Sequence, residues 1–293
     1  MSIAIREVGP GIGGEVTGID LRQPLSGEEA AAIHAGMDRH AVLVFRDQPL
    51  TDEQHQAFSR ALGPLEEAIA VALRKPEEHR LPTSFADVSN LDQDDRPFAR
   101  DDRRRLFSLG NRLWHSDSSF KPVPAKYSIL RALSIPSKGG DTEFADMRQA
   151  YDALDAETRA EIEDLVCEHS QIYSRRQIGF FEFTEAERAL MRPVRQRLVR
   201  VHPATGRKSL YLSAHAGGII GWPQPEAMAF LRDLMEHATQ RRFVYAHRWQ
   251  VGDLVIWDNR QTMHRGRPFP AEEKRDVRRT TLVGDGPTVE QVA

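Results

Sequence analysis

The chain has 293 residues, 40% hydrophobic and 28% charged, which is the balance of a soluble globular protein and far from that of a disordered one. With 40 Lys+Arg against 43 Asp+Glu, the net charge of −3 gives no global reason to bind nucleic acid or an anionic membrane. The single cysteine, Cys167, excludes an intrachain disulfide and a thiolate metal site. The N-terminus lacks a signal pattern and no run approaches the roughly 18 apolar residues of a membrane span, so a cytoplasmic protein is expected.

Residues 26–29 (Ser-Gly-Glu-Glu) and 51–54 (Thr-Asp-Glu-Gln) are capping boxes and predict two helices, the second stopped by Gly63-Pro64. Between them the wholly apolar stretch 41–45 predicts a strand buried on both faces. Over 66–105 periodicity fades and charges crowd together, which predicts a solvated loop serving as a lid. Residues 126–135 predict a core strand ended by Pro136 and Gly139-Gly140. Two helices are expected over 147–168, broken near Asp155. A second irregular, lid-like stretch over 174–197 carries Ile178, Phe180, Phe181 and Phe183, which offer an apolar wall for a ring. There follow a strand at 208–212, a helix at 225–237, and strands at 243–249 and 253–257 joined by Val251-Gly252. No repeat or linker marks a boundary, so residues 1–293 are expected to form one domain.

The chemistry gathers at Trp114-His115-Ser116-Asp117-Ser118 and around His264. In an extended strand, side chains two apart share a face, so His115 and Asp117 can grip one ion. His264, at a loop mouth after a distant strand, completes two nitrogens and a carboxylate. That set leaves three open positions on an octahedral Fe(II) for a co-substrate and an oxidant. Ser116, Ser118 and Ser119 are placed to orient the carboxylate. Zinc accepts the same donors, but no His-Glu-x-x-His helix or comparable hydrolase signature occurs, and iron fits better. His55 (on the polar side of the second helix), His169 and His237 (at helix C-termini) and His247 (on a strand) read as structural, while His202 and His215 remain open.

Downstream of His264 the chain is basic: Arg265, Arg267, Lys274, Arg275, Arg278 and Arg279. A strand over 275–283 puts Arg275, Val277 and Arg279 on one face, which suggests a pocket whose guanidiniums bind carboxylates. Along an extended chain at about 3.3 Å per residue the two arginines lie roughly 13 Å apart, too far to share one small diacid. One therefore suits a co-substrate and the other a substrate.

These motifs, with the stretches 41–45, 113–120, 139–148 and 251–266, closely resemble the taurine dioxygenase/TfdA family of Fe(II)- and 2-oxoglutarate-dependent dioxygenases, nearest its 2,4-dichlorophenoxyacetate branch. The resemblance implies a mainly β, α+β fold: a double-stranded β-helix (jelly-roll, cupin-like) core flanked by helices. It implies His115, Asp117 and His264 as iron ligands, and Thr142 with Arg275 as the holders of the distal carboxylate of 2-oxoglutarate. Arg279 then meets the acidic group of the substrate, with Asn111, Ser118, His202 and His215 as further contacts. The implied reaction uses Fe(II), 2-oxoglutarate and O2 to hydroxylate an aryloxyalkanoate, releasing a phenol, glyoxylate, succinate and CO2. The rivals are the same chemistry on taurine, an alkylsulfonate or an arylalkanoate, a zinc hydrolase, and a non-catalytic acid sensor. The expected partners are a small organic acid and further copies of the chain in a homo-oligomer, with neither nucleic acid nor membrane.

Overall fold

The computed structural model describes residues 3–67 and 79–291. Its first part runs β1 (Ala4–Glu7), β2 (Gly14–Thr17), α1 (Gly27–His40), β3 (Val42–Phe45), α2 (Asp52–Leu62), β4 (Ala86–Asp87) and α3 (Arg103–Ser108). Next come β5 (Tyr127–Ser134), β6 (Thr142–Asp146), α4 (Met147–Asp152), α5 (Ala156–Ile162), β7 (Val166–His169), α6 (Gln171–Gln177) and α7 (Glu185–Leu190). The rest is β8 (Val194–Arg197), β9 (Val199–Val201), β10 (Lys208–Leu210), β11 (Ala216–Ile219), α8 (Gln224–Ala238), β12 (Val244–His247), β13 (Leu254–Asp258), β14 (Thr262–Gly266) and β15 (Asp276–Thr281). None of the described helices is long and apolar enough to cross a membrane.

A seven-stranded sheet in the order β1-β2-β3-β13-β5-β15-β4 faces a three-stranded sheet in the order β12-β6-β14, with β11-β7-β8 and β10-β9 beyond. Strand alternation explains why β3 is apolar throughout. Leu43 and Phe45 pack under the two capped helices against Ile33, Met37 and Phe58. Val42 and Val44 point the other way and meet Val255, Trp257, Phe144 and Tyr245 between the sheets. Each such side chain contributes about 1.5–3 kcal/mol on burial. This is the jelly-roll core with flanking helices.

Several expectations are corrected. The run 147–168 is helical only to Ile162; its end is strand β7, so His169 closes a strand rather than a helix. The stretch 174–197 is largely ordered as α6, α7 and β8. Of the stretch 66–105, residues 68–78 lie outside the described residues; the charged run 93–104 is largely exposed, as expected of a solvated loop, whereas the part around Arg80 is fastened to the sheet. Arg80 pairs with Asp87 at 2.8 Å, Asp95 at 3.0 Å and Asp276 at 2.9 Å, and β4 adds to the edge of β15. His55 is fully buried, against Phe85 and Thr280, so it occupies the inner face of α2. The Val251-Gly252 turn joins strands of two different sheets.

The deepest ion pair ties α1 to α4. Asp146 caps α4 through the N–H groups of Arg148 and Gln149, and both its oxygens accept from the Arg148 guanidinium, at 2.9 and 2.7 Å. That guanidinium also donates to the Arg39 carbonyl at the end of α1. Removing one member of such a pair strands its partner in the interior, so Asp146→Ala should cost about 3–5 kcal/mol in denaturant unfolding. Burial raises the Asp146 carboxyl pKa, but the bonds and charge of Arg148 outweigh it and hold the group below its ordinary 3.8. A depressed folded-state pKa means the contribution is complete above the unfolded value and is lost as pH falls through the folded one. The difference between wild type and Asp146→Ala should therefore shrink below about pH 4. A difference that stays constant to pH 2.5 would trace the loss to something other than the ion pair.

Candidate active site

His264 lies within β14, whose ladder with β6 fixes its direction opposite Phe144. His115 joins it through an isolated bridge: its N–H donates to the His264 carbonyl at 3.0 Å, and its carbonyl accepts from the His264 N–H at 2.8 Å. The two rings sit 4.2 Å apart between centroids. The extended strand expected over 115–117 is absent, because the chain turns immediately afterwards and Ser118 takes a φ of 55°. The turn still returns Asp117 to both rings. Its carboxylate stands 3.8 Å from His115 Nε2 and 3.7 Å from His264 Nε2, and one donor atom from each of the three residues lies within 4.8 Å of the others.

Asp117 is held from three strands. Ser128 Oγ on β5 donates to Oδ2 at 2.7 Å, Arg279 Nη1 on β15 to Oδ1 at 2.5 Å, and the Asp117 N–H donates to Asn259 Oδ1 just past β13 at 3.0 Å. Asn259 is itself fixed by Trp257 Nε1 and by its own bond to Ser128. The neighbouring serines serve elsewhere. Ser116 donates to the Thr262 carbonyl and Ser118 to Glu66 Oε1, so the second layer comes from distant strands.

Burial drives the His115 and His264 pKa values down, which keeps the rings neutral. Burial would raise that of Asp117, but Arg279 and the imidazoles overcome it and keep the carboxylate ionised. His115 Nδ1 lies 2.7 Å from the Leu113 carbonyl, which assigns the proton there and leaves the Nε2 lone pair toward Asp117. Two neutral imidazoles and one carboxylate suit a divalent first-row metal such as iron.

Two cavities open on this cluster. One is lined by His115, His264, Thr142, Trp257, Arg275 and Arg279. Arg275 is 7% exposed; its guanidinium reaches the Val88 and Gly140 carbonyls at long range, stands 5.7 Å from the Phe269 ring centroid, and has no carboxylate partner among the described residues; burial pushes its pKa down to about 10. The strand β15 begins one residue after Arg275; the register shift at Asp276/Val277 puts the extra residue, Leu133, on the partner strand β5, and Arg275 and Arg279 reach one cavity, as the shared face requires. The other cavity contains His115, Asp117, Phe120, Arg175, His215 and Arg279.

Asn111 lines both cavities and His215 the second. His215 is buried, with Nδ1 3.0 Å from Ser174 Oγ and its ring edge-on to Phe120. His202 is not among the lining residues and bonds to Asp258 at 3.2 Å. Ser118 is likewise outside them, on Glu66. The apolar wall is also reassigned. Phe180, Phe183 and Ile178 pack with Met191 and Ile172 behind Phe107 and Phe181 is exposed, while Phe98, Phe107 and Phe120 face the second cavity. Residues 175 and 176 are both arginine, and the phase of α6 buries Arg175 and exposes Arg176.

If this cluster holds a metal, Ser128→Ala should weaken Mn(II) binding about 10- to 100-fold in calorimetric titration, since Asp117 loses an orienting bond. Unchanged affinity would show that Asn259 and Arg279 suffice.

The profile of the family described as taurine catabolism dioxygenase TauD, TfdA family matches residues 4–281. The chain is 45% identical to the alpha-ketoglutarate-dependent 2,4-dichlorophenoxyacetate dioxygenase of Cupriavidus pinatubonensis over 97% of its length and 99% of that protein's. It is 37% identical to the (S)-phenoxypropionate/alpha-ketoglutarate-dioxygenase of Sphingobium herbicidovorans, over 93% and 92%. Among solved structures, AAD-2 in complex with Mn(II) and N-oxalylglycine superposes with a TM-score of 0.96 at 55% identity, over 99% of this chain and all of that one.

Proposed function

The chain belongs to the TauD/TfdA family of dioxygenases, and we propose that it hydroxylates an aryloxyalkanoate such as 2,4-dichlorophenoxyacetate. It is a 2-oxoglutarate-dependent dioxygenase, an oxidoreductase that uses Fe(II) and O2. The metal site is His115, Asp117 and His264 in this reading, and the bound iron supplies oxidative decarboxylation of 2-oxoglutarate to succinate and CO2, coupled to insertion of one oxygen atom into a substrate C–H bond. Hydroxylation of the carbon between the ether oxygen and the carboxylate gives a hemiacetal that collapses to a phenol and glyoxylate.

The observation that carries the reading is Arg275, a buried guanidinium without an internal counter-ion in the cavity that also opens on His115 and His264. A charge removed from water is stable only when paired, and a diacid that reaches toward the metal cluster with one end and Arg275 with the other meets that requirement. Thr142 stands beside Arg275 in the same cavity, which suits both to the distal carboxylate. Phe98, Phe107 and Phe120 line the second cavity and suit an aryl ring. Arg279, Asn111 and His215 face the same space and would contact the acid group.

Two measurements test this. With Fe(II), 2-oxoglutarate and O2, the protein should release phenol and succinate from 2,4-dichlorophenoxyacetate in equal amounts, and His115→Ala, Asp117→Ala and His264→Ala should each abolish turnover while remaining folded. Succinate without phenol would move the substrate to another acid. Arg275→Ala should raise KM for 2-oxoglutarate at least about 30-fold, a loss on the order of 2 kcal/mol or more, with far less change in KM for the aryloxy acid. Equal rises in both constants would remove Arg275 from this role.

A further inference from the structure

Arg175 raises the same question as Arg275 and has no answer so far. Where arginines near the cavities have a carboxylate available they take it: Arg279 is on Asp117, and Arg80 on Asp87, Asp95 and Asp276. Arg175 is 3% exposed and has no carboxylate partner among the described residues. Its acceptors are neutral: Nη1 donates to Ser174 Oγ at 2.9 Å, Nη2 reaches Asn111 Oδ1 at 3.4 Å, and Nε has no partner. The guanidinium carbon lies 4.3 Å from the Phe107 ring centroid. On another side it crowds the backbone at Gly110, where a Cβ would come within 2.7 Å of it. Burial alone pushes its pKa down to about 10, the value at Arg275. A cradle of aromatic face, glycine backbone and two neutral acceptors thus holds one uncompensated positive charge against the cavity that also exposes Asp117, Phe120 and His215. In such a weakly polarisable space a unit charge acts far more strongly than in water. His215, which burial holds neutral, adds no charge of its own to this space.

We propose that Arg175 is a specificity-determining residue, whose uncompensated charge selects anionic over neutral aryl ethers and supplements Arg279, a guanidinium already shared with Asp117. The proposal rests on the second cavity being the substrate chamber. It assigns no step in the oxidation to Arg175; the residue acts on binding.

The test uses anaerobic protein loaded with Fe(II) and 2-oxoglutarate, in which perturbation of the charge-transfer band reports binding of an aryloxyacetate and of its uncharged primary amide. Wild type should prefer the acid. Arg175→Met should weaken acid binding at least 10-fold and amide binding little, while Arg175→Lys, which keeps the charge, should retain most of the preference. The band formed by 2-oxoglutarate alone should be the same in all three. An acid-to-amide ratio equal in wild type and Arg175→Met overturns the proposal, as does equal damage from Met and Lys. Should the Met variant fail to fold, Gly110→Ala displaces the guanidinium without removing it and should lower acid affinity selectively; unchanged acid affinity there is equally fatal. Wild type that forms the 2-oxoglutarate band but binds neither acid nor amide overturns the substrate reading, and this proposal with it.

Discussion

A charge taken out of water must find its opposite, and most of this interior obeys that constraint within the chain. Asp146 meets Arg148, Asp258 meets Arg260 in a two-pronged pair, and Asp253 meets Arg46. Asp146 also caps a helix, Asp253 and Arg46 join segments far apart in sequence, and Asp258 and Arg260 reach on to His202 and Asp285, so charge neutrality and chain topology are settled by the same contacts. The cluster of His115, Asp117 and His264 obeys it as well: the one negative charge of Asp117 is matched by Arg279, and the two neutral imidazoles add donor lone pairs without charge. Arg275 and Arg175 are the exceptions, cations with no carboxylate partner among the described residues. The ligands of this protein are therefore part of its electrostatic closure. Both cavities meet at His115 and Arg279, so the three donors are open from two sides.

What could be read from the sequence was what depends on short-range pattern. The capping boxes at Ser26 and Thr51 formed as spaced, because four residues contain both halves of the motif. The apolar run 41–45 announced a strand covered on both faces, formed as 42–45, and the alternation through Arg275 and Arg279 held because the extra residue at the register shift lies on β5. The three donors His115, Asp117 and His264 were also visible, although for a partly mistaken reason. They converge through a bridge and a turn, and an extended strand at 115–117 is not what joins them.

What escaped was set by partners remote in sequence. Ser128 and Asn259 are ordinary polar residues near strand ends, and nothing local marks them as the supports of Asp117. His55 looked solvent-facing because its neighbours on α2 are polar, but the packing of α2 against β15 turns that face inward. The charges of 80–105 suggested a hydrated loop, and 93–104 is largely that, but Arg80 gathers three aspartates from separate segments. The phenylalanines of 180–183 were plausible wall residues by composition, yet they close on one another, and the rings in the chamber come from positions 98, 107 and 120.

Thr142 illustrates how a remote contact fixes chemical polarity. A hydroxyl has one proton and two lone pairs, and at Thr142 the indole N–H of Trp249 occupies one lone pair at 3.0 Å. The backbone of Thr142 is clamped in the central strand of its sheet, paired with His247 on one side and Gly266 on the other. The hydroxyl proton is thereby left for the cavity, beside a guanidinium that has only donors. That end of the cavity complements a group made solely of acceptors, and an amide in the same place would set N–H against N–H. A tryptophan that does not line the first cavity thus biases that end of it toward an acceptor-rich group.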